Sequence, residues 1–241
     1  MEETPPQLWL AIPDAAALLV PDGLNSGDRA RWERLRGRAK GVEWAASRAL
    51  RDHVSRPTDA ATSLTHSAGH AALAIGPAGS RIGVDLEAVL PRAVTRLAGF
   101  CFAPEEAREL EDADADRALV DFYVRWTLKE AFAKVTGLPL LSALRTCSFS
   151  SRGGNWTARV PLAGPWRAVV HAPRPGLVLA AVLAGREADD GEAWVCREWP
   201  PERPARWVRL ACLSSDAAGS GAADRAAAPR RRRPVGAQVP E

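Results

Sequence analysis

The sequence predicts an α+β protein, a pseudo-dimer of two similar α/β subdomains followed by a disordered C-terminal tail. Three observations carry this prediction. A helical pattern followed by short strands occurs twice along the chain. The 241 residues suit one domain of ordinary size, or two small ones packed together. Beyond residue 187 the hydrophobic periodicity gives way to Arg-, Pro- and Ala-rich low complexity. The divisions are 1–95 for the N-terminal subdomain, 96–187 for the C-terminal one and 188–241 for the tail.

The first half opens with a strand at Leu8–Ile12 and a helix from Asp28 to about Val54. Trp32, Leu35, Val42, Ala46, Ala49 and Leu50 fall near a 3.6-residue period, with arginines on the opposite face. A strand at His70–Ile75 and a turn at Gly76–Gly79 follow. The segment "RIGVDLEA" then pairs back on that strand as a hairpin. The second half repeats the order. Pro104 stands just inside a helix whose first turn is acidic, which suits the helix dipole. A longer helix, "DADRALVDFYVRWTLKEAFAKVTG", is closed by Gly137. Short strands are expected around Thr146–Ser150, Trp156–Val160, Trp166–His171 and Leu177–Leu183.

Composition narrows the functional classes. With 46% hydrophobic and 25% charged residues, the chain can bury a real core. The formal charge of +3 falls to −1 once the four consecutive arginines Arg230–Arg233 are set aside. The body is therefore near neutral, and no nucleic acid is expected as its partner. Cys101, Cys147, Cys196 and Cys212 are scattered, which suits neither a zinc site nor a disulfide framework. The N-terminus is acidic and interrupted by Pro13 and Asp14, unlike a secretory signal. The longest apolar run, "GLVLAAVLAG", is about half of what a bilayer crossing needs. A cytoplasmic protein with no membrane contact is expected.

Three fragments could carry chemistry. In "RIGVDLEAV", Asp85 and Glu87 stand two residues apart on a strand, so both project to one face, about 6.5–7 Å apart along the chain. Two like charges this close repel unless a cation lies between them. Mg²⁺ suits the position, since it takes hard oxygen ligands from carboxylates and substrate phosphates. The alternative is a strand end whose acids face water. In "WTLKEAFAKVTG", Glu130 and Lys134 share a helix face at i, i+4, and Lys129 is rotated about 100° from Glu130. This is either a surface ion pair or a set of charges retained for use on a largely buried helix. In "LTHSAGH", Thr65, His66 and Ser67 offer hydroxyls, an imidazole and loop amides, a mixture that can hold a phosphate.

Taken in this order, Thr-His-Ser, Gly-Val-Asp-Leu-Glu and Trp-Thr-Leu-Lys-Glu-Ala-Phe-Ala-Lys resemble the 4′-phosphopantetheinyl transferases of the surfactin-synthetase-activating type. That pattern is (I/V)-G-(V/I)-D-x-E, a spacer of several tens of residues, then (F/W)-(S/T/C)-x-K-E-(A/S)-x-x-K. Glu130 follows Asp85 by 45 positions, and Trp126, Thr127, Lys129, Glu130, Ala131 and Lys134 match throughout. The resemblance covers about residues 25–185, weakly before Ser63. Glu87 separates this monomeric type from the short trimeric holo-acyl-carrier-protein synthases.

The resemblance implies Mg²⁺-dependent transfer of phosphopantetheine from coenzyme A to a serine of an acyl or peptidyl carrier protein, releasing 3′,5′-ADP, as in polyketide or nonribosomal peptide assembly. It implies Asp85, Glu87 and Glu130 as metal ligands, and Glu130 also as the base for the serine proton. Lys134, and Lys129 beside it, would meet the coenzyme A phosphates, with Glu130 and Lys134 forming the catalytic pair. Thr65 and His66 match the coenzyme A phosphate contact. Arg31, with Arg38 and Arg48 behind it, is the candidate for the 3′-phosphate. A carrier domain would dock in the cleft between the halves.

One departure stands out. The Gly-Lys-Pro segment usual upstream of the Ser-His-Ser motif is replaced by "VSRPTDAATS", without lysine, and Thr65 replaces serine. The alternative this leaves is a degenerate relative that binds carrier protein or coenzyme A without transfer. The complete carboxylate and lysine set argues against it.

Overall fold

The computed structural model describes residues 5–188 and 193–215. The first half consists of β1 (Gln7–Ala11), α1 (Ser26–Leu35), α2 (Ala39–His53), β2 (Ala60–Ser67) and β3 (His70–Ala78). The second comprises β4 (Arg81–Ala88), α3 (Val94–Cys101), α4 (Pro104–Glu111), α5 (Ala115–Thr136), α6 (Leu140–Thr146), β5 (Ser148–Arg152), β6 (Asn155–Arg159), β7 (Trp166–Ala172) and β8 (Leu177–Ala184). The chain then adds β9 (Val195–Trp199), β10 (Arg203–Pro204) and β11 (Val208–Ser214).

Two large sheets result, β10-β9-β1-β3-β2 and β11-β7-β8-β4, and β5 and β6 pair as a separate hairpin. In the first half β1 lies beside β3, which also pairs with β2; in the second β4 lies beside β8, which also pairs with β7; and all these pairings are antiparallel. The period-2 alternation of the strands sorts the apolar residues into layers. Leu8, Leu10, Ala72 and Ala74 of the first sheet meet Val84, Leu86, Leu179 and Leu183 of the second in a core between the sheets. Trp9, Ala11, Leu73 and Ile75 point the other way, onto Ala46, Ala49 and Leu50 of α2. Val178, Ala180 and Val182 point onto α5, where Leu128, Ala131, Phe132 and Val135 lie. Four layers follow: α2, sheet, sheet, α5.

Three expectations are corrected. The strand carrying "RIGVDLEA" does not pair back on β3. Both edges of β3 are taken by β1 and β2, so the turn at Gly79, with φ of 80°, hands the chain to the second sheet, where β4 pairs with β8. The single helix expected over 28–54 is two, broken at Gly37 with φ of 78°. The tail does not begin at 188. β9 adds a parallel strand to β1, and β11 adds an antiparallel strand to β7. The prolines of "EWPPERPARW" hid these strands by marking a linker. Residues 216–241, including Arg230–Arg233, lie outside the described residues, and with them the expected disorder.

Candidate functional site

Because Val84 and Leu86 fill the core between the sheets, Gly83, Asp85 and Glu87 must face α5. The helix comes close at this point. A β-carbon on Gly83 would stand 2.2 Å from the carbonyl oxygen of Ala131, so only glycine admits α5 at this depth. Glu130 immediately precedes Ala131. Asp85, Glu87 and Glu130 each offer a carboxylate oxygen, all within 4.8 Å of one another. Asp85 is buried, and its two neighbours are half-buried.

Three carboxylates in one half-buried place repel. Burial, and then the nearby Asp85, push Glu130 up to about 7. The same two causes push Glu87 up to about 6. Burial raises Asp85 as well, opposed by Lys134 and by hydrogen bonds. Lys134 Nζ donates to Asp85 Oδ1 at 3.1 Å and to the Val84 carbonyl at 2.6 Å. Thr65 Oγ1 donates to the same Oδ1 at 3.1 Å. Asp85 Oδ2 is buried and has no hydrogen-bond partner among the described residues. An orphaned buried oxygen flanked by two further carboxylates, all hard ligands, fits a divalent cation such as Mg²⁺.

Lys129 does not belong to this site, contrary to the expectation that it meets coenzyme A phosphates. It is fully buried, and Nζ donates to Glu106 Oε2 at 2.7 Å, to the Leu144 carbonyl at 2.8 Å and to the Cys147 carbonyl. An ammonium has three protons, and all are taken. The 100° rotation from Glu130 turns it away from the carboxylates, toward α4 and the end of α6. Glu106 completes a buried hub, accepting from the backbone of Ala103 and Phe149 as well.

The other expected contacts are spread over β2, α1 and α2 with its N-cap. Alternation puts Thr65 toward Asp85 and His66 on the opposite face, toward α2. The buried Nδ1 of His66 lies 3.3 Å from Glu43 Oε1, outside hydrogen-bonding geometry, and the ring is partly exposed. Arg48 is engaged locally. It pairs with Asp28 at 3.1 Å, donates to Ser47 and lies 4.8 Å over the Trp44 ring. Arg31 and Arg38 are exposed, and Arg31 has no ion pair among the described residues. The "VSRPTDAATS" segment, with Arg56 and Thr62 among its polar groups, lines a cavity of about 660 Å³ together with Arg51 and Asp52.

Some contributors escaped the sequence reading. Trp126, one turn before Glu130, lies near enough to its carboxylate to favour the charged form. Arg92, lying 5.3 Å over the Tyr123 ring, is a positive charge near Glu87. The i, i+4 spacing of Trp126 and Glu130 was available as a signal; nothing local marked Arg92.

This α+β chain thus brings cation-suited carboxylates together from one strand and one helix, with a lysine a turn further on. Residues 81–182, from the start of β4 into β8, match the 4′-phosphopantetheinyl transferase superfamily. That stretch holds Asp85, Glu87, Glu130 and Lys134. A Synechocystis protein named as a 4′-phosphopantetheinyl transferase is 39% identical over 75 residues, which cover 31% of this chain and 30% of that protein. The chain thus matches under a third of that relative's length. No helix among the described residues is long and apolar enough to cross a membrane.

Proposed function

We propose that the protein is a phosphopantetheinyl transferase of the surfactin-synthetase-activating type. It moves 4′-phosphopantetheine from coenzyme A to a serine of an acyl or peptidyl carrier protein, acting as a cytoplasmic monomer. The observation that carries this reading is the meeting of Asp85, Glu87 and Glu130 beside Lys134, within the stretch similar to that superfamily.

Asp85, Glu87 and Glu130 would hold Mg²⁺. When bound, such an ion neutralises charge on the pyrophosphate and on the departing 3′,5′-ADP. Glu130 is the group to accept the carrier serine's proton as the serine oxygen attacks the phosphorus bearing pantetheine and the bond to 3′,5′-ADP breaks. Without a cation, burial and Asp85 hold its carboxylate up to about 7, and a bound cation would lower that value while leaving a carboxylate oxygen to take the proton. Lys134 gives two protons to Val84 and Asp85, and its third is free for a phosphate oxygen. His66 and Arg31 are the further phosphate contacts in this reading. The cavity beside Arg51 and Arg56 suits the nucleotide end, in place of the missing lysine segment.

The test is direct. The protein, Mg²⁺, coenzyme A and an apo carrier protein are mixed, and the carrier is weighed by mass spectrometry. A phosphopantetheine adduct is expected, and Glu130→Gln abolishes it while the protein stays folded. Folded protein that modifies none of several carriers would sink the transferase reading.

A further inference from the structure

We infer that Thr65 and Ser67 are positioning residues for the carboxylate cation site, holding Asp85 and Glu87 in place by hydroxyl hydrogen bonds rather than contacting coenzyme A phosphate. The inference rests on reading the three carboxylates as a cation site and goes beyond it in naming what orients them.

The argument begins at the seam between the sheets. β2 is the outer strand of the first sheet and β4 the outer strand of the second, and no backbone ladder joins them. Alternate residues of β2, Ser63, Thr65 and Ser67, face the seam. The other side of β4 is paired with β8, so its outward N–H groups need acceptors. Ser63 Oγ accepts from Val84 N at 3.1 Å, and Ser67 Oγ accepts from Ala88 N at 3.4 Å.

The same two-residue period then matches hydroxyls to acids. Thr65 Oγ1 donates to Asp85 Oδ1 at 3.1 Å, and the Ser67 hydroxyl lies near enough to the Glu87 carboxylate to favour its charged form. A hydroxyl has one proton and can also accept, so Ser67, accepting from Ala88 N, keeps its proton for Glu87. Thr65 has given its one proton to Asp85. With Lys134 on that same Oδ1, Oδ2 is the oxygen left without a protein donor, buried and fixed in direction. Outer partners of this kind set metal affinity by about 10- to 100-fold. Ser63 is the internal control, because its hydroxyl takes a β4 backbone N–H and bonds no carboxylate among the described residues.

The test reads metal binding without coenzyme A or turnover. The full-length protein is titrated with Mn²⁺, and free Mn²⁺ is followed by electron paramagnetic resonance. Thr65→Val keeps the shape and removes the hydroxyl; its Kd is expected to rise about tenfold or more, and Ser67→Ala to weaken binding likewise. Thr65→Ser restores near-wild-type affinity, and Ser63→Ala lowers thermal stability while leaving the Mn²⁺ Kd unchanged. Wild-type affinity in Thr65→Val and Ser67→Ala overturns the inference, as does a raised KM for coenzyme A with unaltered Mn²⁺ binding. If the wild type binds no Mn²⁺ that Asp85→Asn removes, the cation reading and this inference fall together.

Discussion

Gly83 and Ala131 meet backbone to backbone, and that contact sets how deeply Glu130 reaches toward Asp85. A β-carbon at 83 would lie 2.2 Å from the Ala131 carbonyl oxygen and 3.0 Å from Val135 Cγ2. Neither the strand, pinned by β8, nor the helix can yield cheaply. Gly83→Ala is therefore expected to cost about 2–3 kcal/mol of stability. Transfer should fall by about 100-fold, because a displacement of about 1 Å ruins a reacting geometry. Urea unfolding and single-turnover adduct formation measure the two effects. A wild-type midpoint with wild-type turnover would mean that the helix is free to slide.

Lys129 and Lys134 stand five residues apart on α5 and are expected to fail differently. Removing Lys129 leaves Glu106 charged and buried, so Lys129→Met should destabilise by about 3–5 kcal/mol. Lys134 is a third exposed and keeps β4 company at the rim. Lys134→Met should cost less than Lys129→Met, since water reaches the rim and Thr65 still donates to Asp85, and should raise the KM for coenzyme A. Denaturation and steady-state kinetics on both variants separate these outcomes. A folded Lys129→Met of normal stability and raised KM would return Lys129 to the phosphate site.

What was legible in the sequence divides by range. α5, ending at Gly137 in the left-handed region, and the apolar strands β7 and β8 announce themselves through local periodicity. The i, i+2 spacing of Asp85 and Glu87 and the i, i+4 spacing of Glu130 and Lys134 are equally local. Which strand lies beside which is not local. β4 was expected to pair with its neighbour in sequence, but β3 has no free edge to offer. That Thr65 reaches Asp85 was not legible, because nothing in its own segment says that β4 runs alongside. Lys129 likewise shows its direction on the helix, but not the Glu106 carboxylate waiting there. The C-terminal strands were lost because prolines dominate the composition while the few apolar residues that bury, such as Ala211 and Leu213, are sparse.

His171 makes the fold sensitive to acid. It is buried on β7 opposite Arg209, with neither ring nitrogen hydrogen-bonded among the described residues and with Trp207 at 5.7 Å. Burial, and then Arg209, push it down to about 4 from an ordinary 6.5. The folded state therefore binds this proton less readily than the unfolded chain. Its contribution to stability declines as pH falls from about 6.5 to about 4 and is level outside that window. His171→Leu removes the effect. The variant should gain about 2 kcal/mol over wild type by pH 4.5, with a smaller difference at pH 8. Urea midpoints across that range measure it, and a difference independent of pH would refute the assignment.

Truncation tests the role of the C-terminal strands, and the expectation reverses the one that composition alone supports. β9 lies along β1 over its whole length, from Val195 opposite Gln7 to Trp199 opposite Ala11. Trp199 stacks on His53 at the end of α2, with ring centres 4.4 Å apart. Glu198, buried, accepts from Arg174 at 3.0 Å, from Arg203 at 2.7 Å and from Trp207 at 3.3 Å. Arg174 belongs to the turn between β7 and β8, so this carboxylate ties the first sheet to the second. β11 then covers the edge of β7. A chain ending at residue 192 would bare two strand edges, leave Arg174 without this partner and uncover the core around Ala168 and Val170 that Ala211 and Leu213 help to fill, conditions that favour aggregation. It is expected to be insoluble or to lose more than about 3 kcal/mol. A chain ending at Ser215 loses only the low-complexity stretch and should keep its midpoint and its transfer rate within about twofold. Equal stability of the two truncations would show that β9 and β11 are dispensable decorations on the two sheets.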